Sequence, residues 1–249
     1  MFVDQHIVIT GGSSGLGLEL ASQLAAKGAR LTLIARNLAK LEQAASDLRQ
    51  QVPGARVAVQ AVDVCDEQAI SGVMQQIAQQ GQGIDMLINS AGILREGYFE
   101  KAPLADFREV MEINYFGLLN ATRGALPYLE QSRGRLVNIA SMAGLTGAFG
   151  YTAYCASKHA LVGLSEALRY ELQPKGIRVH LVCPGEFDSP MVDELDKART
   201  PENRAHAQII PKAGVEPPAR LTALGIRLMP RLVRWLGDRT IAGVQRRLR

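Results

Sequence analysis

"HIVITGGSSGLG", residues 6–17, is the stretch that decides how this chain folds. A short apolar run rich in β-branched residues ends in four glycines, Gly11, Gly12, Gly15 and Gly17, and a helix-period stretch begins at residue 15. Strand, tight turn, helix is the first half of a βαβ unit. Glycines allow the turn to be tight and the backbone to come close to a ligand. The helix N-terminus then offers free N–H groups and a partial positive charge to a pyrophosphate. Gly11, Ser13, Ser14, Gly15, Leu16 and Gly17 are therefore candidate phosphate-turn residues. The alternative is a tight strand–helix turn that holds no ligand.

Moving outward, similar apolar runs recur: "RLTLIA" (30–35), "RVAVQA" (56–61), "DMLINS" (85–90), "RLVNIA" (135–140) and "RVHLVC" (178–183). Near-continuous apolar strands belong to parallel sheets covered on both faces. Helix-period stretches at 15–27, 37–50, 66–80, 103–131 and 154–173 separate them. Strand and helix in alternation predict an α/β fold, a doubly wound parallel sheet. No composition break divides residues 1–185, and no repeat or low-complexity segment is present. We expect one domain over residues 1–214 and a basic helical tail over 215–249.

Composition agrees with a packed domain. Hydrophobic residues make up 47% of the 249 and charged residues 21%, which leaves enough apolar side chains for a sizeable core. The three cysteines, Cys65, Cys155 and Cys183, are scattered with no C-x-x-C pair. They suggest a reducing compartment and neither a disulfide framework nor a cysteine metal site; no metal is expected. No basic-then-apolar leader opens "MFVDQHIVIT", and no uncharged apolar run reaches the roughly 18–20 residues of a membrane span. These features predict a cytoplasmic protein. The net charge of +4 comes from the tail, where eight arginines face only Glu216 and Asp238.

Two further stretches carry chemistry. The second strand ends in "ARN", Ala35–Asn37, where chains that bind the unphosphorylated dinucleotide usually carry an acidic residue for the ribose 2′-hydroxyl. Arg36 can instead meet a 2′-phosphate with a forked contact, and Lys40 one turn on adds charge. This favours NADP(H) over NAD(H); the alternative is a solvated arginine at a helix start. In "YCASK", residues 154–158, Tyr154 and Lys158 lie one helical turn apart and share a face. Alone, such a pair is most simply two amphipathic side chains on a wet surface.

Taken in order, "TGGSSGLG", "DV" (63–64), "NSAG" (89–92), "IN" (113–114), "IAS" (139–141), "YCASK" and "PG" (184–185) resemble the motif series of the short-chain dehydrogenase/reductase family over residues 5–190. That resemblance implies a Rossmann-type domain, a nicotinamide cofactor, a homo-oligomer (dimer or tetramer), and a catalytic set of Asn114, Ser141, Tyr154 and Lys158. Tyr154 would be the acid/base. A free phenol with a pKa of about 10 is a poor proton shuttle at neutral pH, and a nearby ammonium favours phenolate, so Lys158 is expected to lower the Tyr154 pKa. Ser141 would hold the substrate oxygen, and Asn114 would bind a water linking Lys158 to solvent. By itself, Asn114 also reads as a polar residue satisfying a kink in a long helix. The resemblance further implies Asp63 and Val64 beside the adenine, and Asn89, Ala91 and Gly92 along the cofactor with Asn37. Backbone after Pro184 and Gly185 would reach the nicotinamide amide, and Ser189 stands where the family usually has threonine. Cys155 reads as a small packing residue.

Within the family the chain is most similar to reductases of 3-ketodihydrosphingosine and their bacterial relatives, from "LIARNLAKLEQA", "TAYCASKHALVGLSEALRYEL" and "LVRWLGDRTIAGVQRR". The resemblance implies a small-molecule ketone or alcohol of lipidic character; another apolar ketone, steroid-like or acyl, is the alternative substrate. A cofactor-binding sensor without turnover is the alternative of a different class. The family normally carries a helix and a seventh strand after the substrate loop. Here "IIPKAGVEPPARLTALG" reads as loop running into the tail, and no seventh strand is expected. Residues 219–249 mix leucine, Trp235 and arginine at helical spacing, with Arg227, Arg231 and Arg234 on one face. Such a stretch could lie on the cytoplasmic face of an anionic membrane or cover a dimer or core surface. Nucleic acid is not an expected partner, because the basic residues have no base-reading or stacking framework.

Overall fold

A computed structural model describes residues 2–81, 83–186 and 189–207. Its contacts group into two units interleaved along the chain. The first comprises residues up to 92, 112–139 and 163–182, and holds the whole sheet. Six strands, β1 (His6–Thr10), β2 (Arg30–Ala35), β3 (Arg56–Ala61), β4 (Met86–Asn89), β5 (Arg135–Ile139) and β6 (Arg178–Val182), lie in the order β3-β2-β1-β4-β5-β6. Every pairing is parallel, and the chain reverses its direction of growth between β1 and β4. The carboxyl edge at that reversal is where open α/β sheets bind ligands.

The central strands β1, β2 and β4 are buried along nearly their whole length because both faces are covered, whereas β3 and β6 leave alternate residues exposed. Val8, Ile34 and Leu87 join one cluster with Ile70 and Met74 of α3 (Glu67–Gly81) and Ala121 and Leu129 of α5 (Gly117–Ser132). Their sequence neighbours Ile7, Ile9, Leu33 and Ile88 join a second cluster with Ala21 and Leu24 of α1 (Gly15–Ala25) and Leu41 and Leu48 of α2 (Leu38–Gln51). The alternation follows the two-residue period of a strand.

Gaps in the apolar pattern are filled by paired polar groups. His6 is buried, with Nδ1 2.8 Å from the Gly83 carbonyl and Nε2 2.8 Å from Thr32 Oγ1. Asn89 Nδ2 donates to Thr122 Oγ1 at 2.9 Å and to Asn138 Oδ1 at 3.0 Å, and Asn138 Nδ2 donates to Ser165 Oγ at 2.9 Å. Buried amides without such partners would each be costly.

The second unit contains residues 93–111, 140–162 and the described residues from 183 to 207. It holds α4 (Leu104–Met111), a short 3₁₀ turn at Met142–Gly144, the first half of α6 (Thr152–Leu172), α7 (Pro190–Ala198) and α8 (Pro201–Ala207). Two sequence expectations are corrected here. The single helix expected over 103–131 is divided by a π-helical turn at Glu112–Phe116. The substrate loop named above contains a helix, α7: Ser189 Oγ accepts the Val192 N–H at 3.3 Å and Pro190 takes the first helical position. Among the described residues no helix is long and apolar enough to cross a membrane. The 214/215 boundary, the tail and the expected absence of a seventh strand lie outside the described residues.

Candidate functional site

In the first unit the glycine turn is a close-packed cradle. Gly11 has φ +68°, and a Cβ there would sit 2.8 Å from the Ala91 backbone. A Cβ on Gly17 would lie 2.4 Å from the Gly11 carbonyl oxygen. Neither position admits a side chain without moving backbone. Thr10 Oγ1 accepts the Ser90 and Ala91 N–H groups at 3.2 and 3.3 Å, which fixes the loop after β4, with Ala91 and Gly92, against the turn. Ser14 is the N-cap of α1, yet its side chain makes no capping hydrogen bond. The α1 N-terminus, flanked by Ser13, Gly15 and Leu16, is thus uncapped beside a glycine cradle, and such a turn fits a dinucleotide pyrophosphate.

Arg36 follows β2 with a side chain 65% exposed, its Nη1 3.9 Å from Asp63 Oδ2. Asp63 Oδ1 accepts the Cys65 N–H at 3.0 Å, so the carboxylate is anchored at one oxygen. Asn37 is used locally: its Oδ1 caps α2 by accepting the Lys40 N–H at 3.0 Å. Lys40 is exposed. Val64 is buried, and its carbonyl accepts Asn120 Nδ2 at 3.1 Å. Gly117 packs against it so closely that a Cβ would meet Val64 Cγ2 at 2.5 Å. The Asn89 side chain is 2% exposed and turned into the buried amide network, which makes it a strut beneath the carboxyl edge. Asn114 is fully buried within the π-helical turn, a distortion frequent at functional sites.

The second unit brings Ser141, Tyr154 and Lys158 together. Ser141 Oγ accepts the Ala143 N–H at 3.1 Å, which orients it over the 3₁₀ turn. Gly144 in that turn lies against α6, where a Cβ would be 2.7 Å from the Lys158 carbonyl oxygen. The Met142 N–H donates to the Pro184 carbonyl at 2.9 Å, so the Pro184–Gly185 segment is tied to the same turn. Lys158 is 5% exposed, and its Nζ is 5.5 Å from the centre of the Tyr154 ring.

The electrostatics differ from the sequence expectation. Burial pushes the Tyr154 hydroxyl up to about 12, while a hydrogen bond with Ser141 pulls the other way. Burial also pushes the Lys158 ammonium down to about 8, from an ordinary 10.5. Lys158 therefore does not hold Tyr154 below its free value in the protein alone. Desolvation disfavours both charged forms and is the largest cause of each shift. Cys155 is buried in an apolar cluster with Tyr151, Ala143 and Leu195, and burial raises its thiol pKa, as suits a packing residue.

Sequence reasoning missed three groups. Asn138 interrupts the apolar run "RLVNIA", and that interruption was its signal. Tyr151 is 8% exposed with its ring edge-on to Tyr154, centroids 6.1 Å apart. Arg199 is buried between α7 and α8. Neither of the last two sits in a recognisable pattern.

Comparison with known proteins accords with this arrangement. The family model described as short chain dehydrogenase matches residues 5–200. The chain is 36% identical over 203 residues to the 3-ketodihydrosphingosine reductase of Mus musculus, a match covering 80% of this chain and 61% of that protein. The crystal structure of levodione reductase superposes with a TM-score of 0.78 at 33% identity, covering 83% of this chain and 81% of that one. That of NAD+-bound xylitol dehydrogenase gives 0.75 at 30% identity, covering 78% and 75%.

Proposed function

The chain belongs to the short-chain dehydrogenase family, and from that premise we propose that it is an NADP(H)-dependent oxidoreductase interconverting a ketone and a secondary alcohol. The substrate is lipidic, such as 3-ketodihydrosphingosine. Residues 1–214 carry the activity, and the basic tail is a surface that meets a membrane or another copy of the chain. The single observation that carries the reading is the side-chain set of the second unit: a Ser141–Tyr154 hydrogen bond beside a lysine only 5% exposed. A structural lysine has little reason to be so deeply buried.

A nicotinamide held at the carboxyl edge would supply a hydride to the carbonyl carbon. The remaining work falls to the chain. Tyr154, its hydroxyl pushed up to about 12, is protonated at neutral pH and can give its proton to the developing alkoxide. Ser141 donates a hydrogen bond to the same oxygen as charge builds there. The resulting phenolate is stabilised by the Lys158 ammonium, which can return a proton because burial brings its own pKa to about 8. By family resemblance, Asn114 takes a proton-relay role. Gly11–Gly17 receive the pyrophosphate and Asp63 and Val64 border the adenine.

NADP(H) is preferred because Arg36 extends from the end of β2 with no acidic residue at 35–37. A 2′-phosphate would gain a charge-assisted contact there. The lipidic substrate is supported by the mouse relative's name and by the apolar side chains of Leu94, Ala143, Ala148, Cys155 and Leu195 around Tyr154.

The test is a fluorescence titration with NADPH and NADH, then NADPH oxidation with 3-ketodihydrosphingosine. Tighter NADPH binding and turnover are expected. Equal affinity for both cofactors would overturn the role of Arg36, and binding without turnover would overturn the substrate.

A further inference from the structure

Arg199 joins α7 to α8, and its side chain is 3% exposed. A charge so deeply buried must be paired. Its fork reaches three segments of the second unit: Nη2 donates to Glu186 Oε1 at 2.6 Å, Nε to Asp196 Oδ1, and Nη1 lies 3.5 Å from the Tyr151 hydroxyl. Glu186 directly follows Pro184–Gly185, Asp196 is on α7, and Tyr151 immediately precedes α6. Two flanking ties hold the same helices. The N–H and hydroxyl of Thr200 both donate to Glu96 Oε1 at 2.8 Å, and the Tyr98 hydroxyl donates to Glu202 Oε2 at 2.7 Å. Tyr151, Tyr154 and Leu195 of α7 pack in one apolar cluster.

We propose that Arg199 is a positioning residue, a latch that holds the α7–α8 segment onto the first turn of α6 and keeps Tyr151 against Tyr154. The bond to Tyr151 is the longest of the three, so it orients while the two carboxylates anchor. Its planar fork serves three directions at once, which a lysine ammonium cannot match in one geometry. Without the guanidinium, Glu186 and Asp196 lose their shared cation, and the segment keeps its ties to Glu96 and Glu202, the Tyr151–Asn203 hydrogen bond and the apolar contact of Leu195. Loosening then spreads to Tyr151 and the acid beside it. The part of this inference that concerns catalysis rests on Tyr154 being the proton donor; the latch itself does not.

The test is hydrogen–deuterium exchange on the full chain, comparing wild type, Arg199→Met, Arg199→Lys and Tyr151→Phe. In Arg199→Met, exchange should rise about ten-fold or more in residues 189–207 and 150–158, while strands 6–10 and 135–139 stay protected. Arg199→Lys should rescue this only in part. Tyr151→Phe, which keeps the ring and removes a hydroxyl shared by Arg199 and Asn203, should raise exchange in 150–158 and more weakly in 189–207, and it decides the matter if Arg199→Met fails to fold. Unchanged exchange in both segments would overturn the latch, and so would a rise spread evenly over the sheet. With NADPH and 3-ketodihydrosphingosine, Arg199→Met should lower kcat/KM about ten-fold while NADPH affinity stays within about two-fold. An equal loss of cofactor affinity would assign Arg199 a general structural role instead. If wild type does not reduce that ketone, the functional reading fails while the exchange result still decides the latch.

Discussion

Replacing Lys158 by methionine should make the protein more stable and abolish its activity. The buried ammonium has its pKa moved from 10.5 to about 8 by loss of water. At about 1.4 kcal/mol for each pH unit, keeping that proton in the folded state costs about 3 kcal/mol. Methionine fills the same space without a charge. Below about pH 8 the folded and unfolded states both carry the proton and the cost is fully present. As pH rises from about 8 to 10.5, the folded state releases its proton first, and wild type gains on the variant until the gap closes. Tyr154, Cys65, Cys155 and Cys183 are all pushed upward by burial and also shape the alkaline limb. All four are present in both proteins, and Cys183, whose thiol the Lys158 ammonium lowers, adds its coupling to the difference. The assay is thermal unfolding of the pair across that range. A gain of about 3 kcal/mol corresponds to a Tm rise of roughly 6–12 °C near neutral pH for a chain of this size, shrinking toward pH 10. A variant no more stable than wild type, with a pH-independent gap, would refute the reasoning, because burial would then not be what governs this lysine.

Two glycines and a histidine give further tests. Gly17→Ala places a methyl 2.4 Å from the Gly11 carbonyl oxygen, so NADPH affinity should fall at least about ten-fold (~1.4 kcal/mol) with circular dichroism unchanged. Gly144→Ala would push the Ser141 turn off α6, where the gap to the Lys158 carbonyl is 2.7 Å; kcat should drop far more than NADPH affinity. Burial lowers the His6 pKa, so the unfolded chain takes up a proton first as pH falls below about 6.5 and stability is lost there. Urea unfolding should show that loss in wild type and not in His6→Gln.

What the sequence revealed depended on how local the cause was. The strands are readable because β-branched and apolar residues cluster in each, on both faces of the central ones and one face of β3 and β6, and the glycine cradle because a close approach of backbone permits only glycine. Tyr154 and Lys158 are readable because one helical turn joins them. The π-helical turn at Glu112–Phe116 left only a faint mark: no proline or glycine lies within it, and its trace was Asn114, which reads as a polar residue satisfying a kink and is fully buried there. The α7 start left one too, in Ser189–Pro190, an N-cap followed by a first-turn proline, which the surrounding turn-like residues obscured. Arg199 was beyond reach, because its neighbour Thr200 binds a glutamate 104 positions away and Arg199 itself meets Tyr151 across 48. The ordering of pKa values was also hidden, since burial depth, and not the Tyr154–Lys158 spacing, sets it.

The most direct measurement is hydride transfer itself. NADPH carrying deuterium at the transferable position would be incubated with 3-ketodihydrosphingosine and either wild type or Tyr154→Phe, and the product alcohol examined by mass spectrometry. The account predicts one deuterium on the carbinol carbon with wild type and none above background with Tyr154→Phe, although that variant still binds NADPH. Equal label from both proteins would contradict Tyr154 as the proton donor.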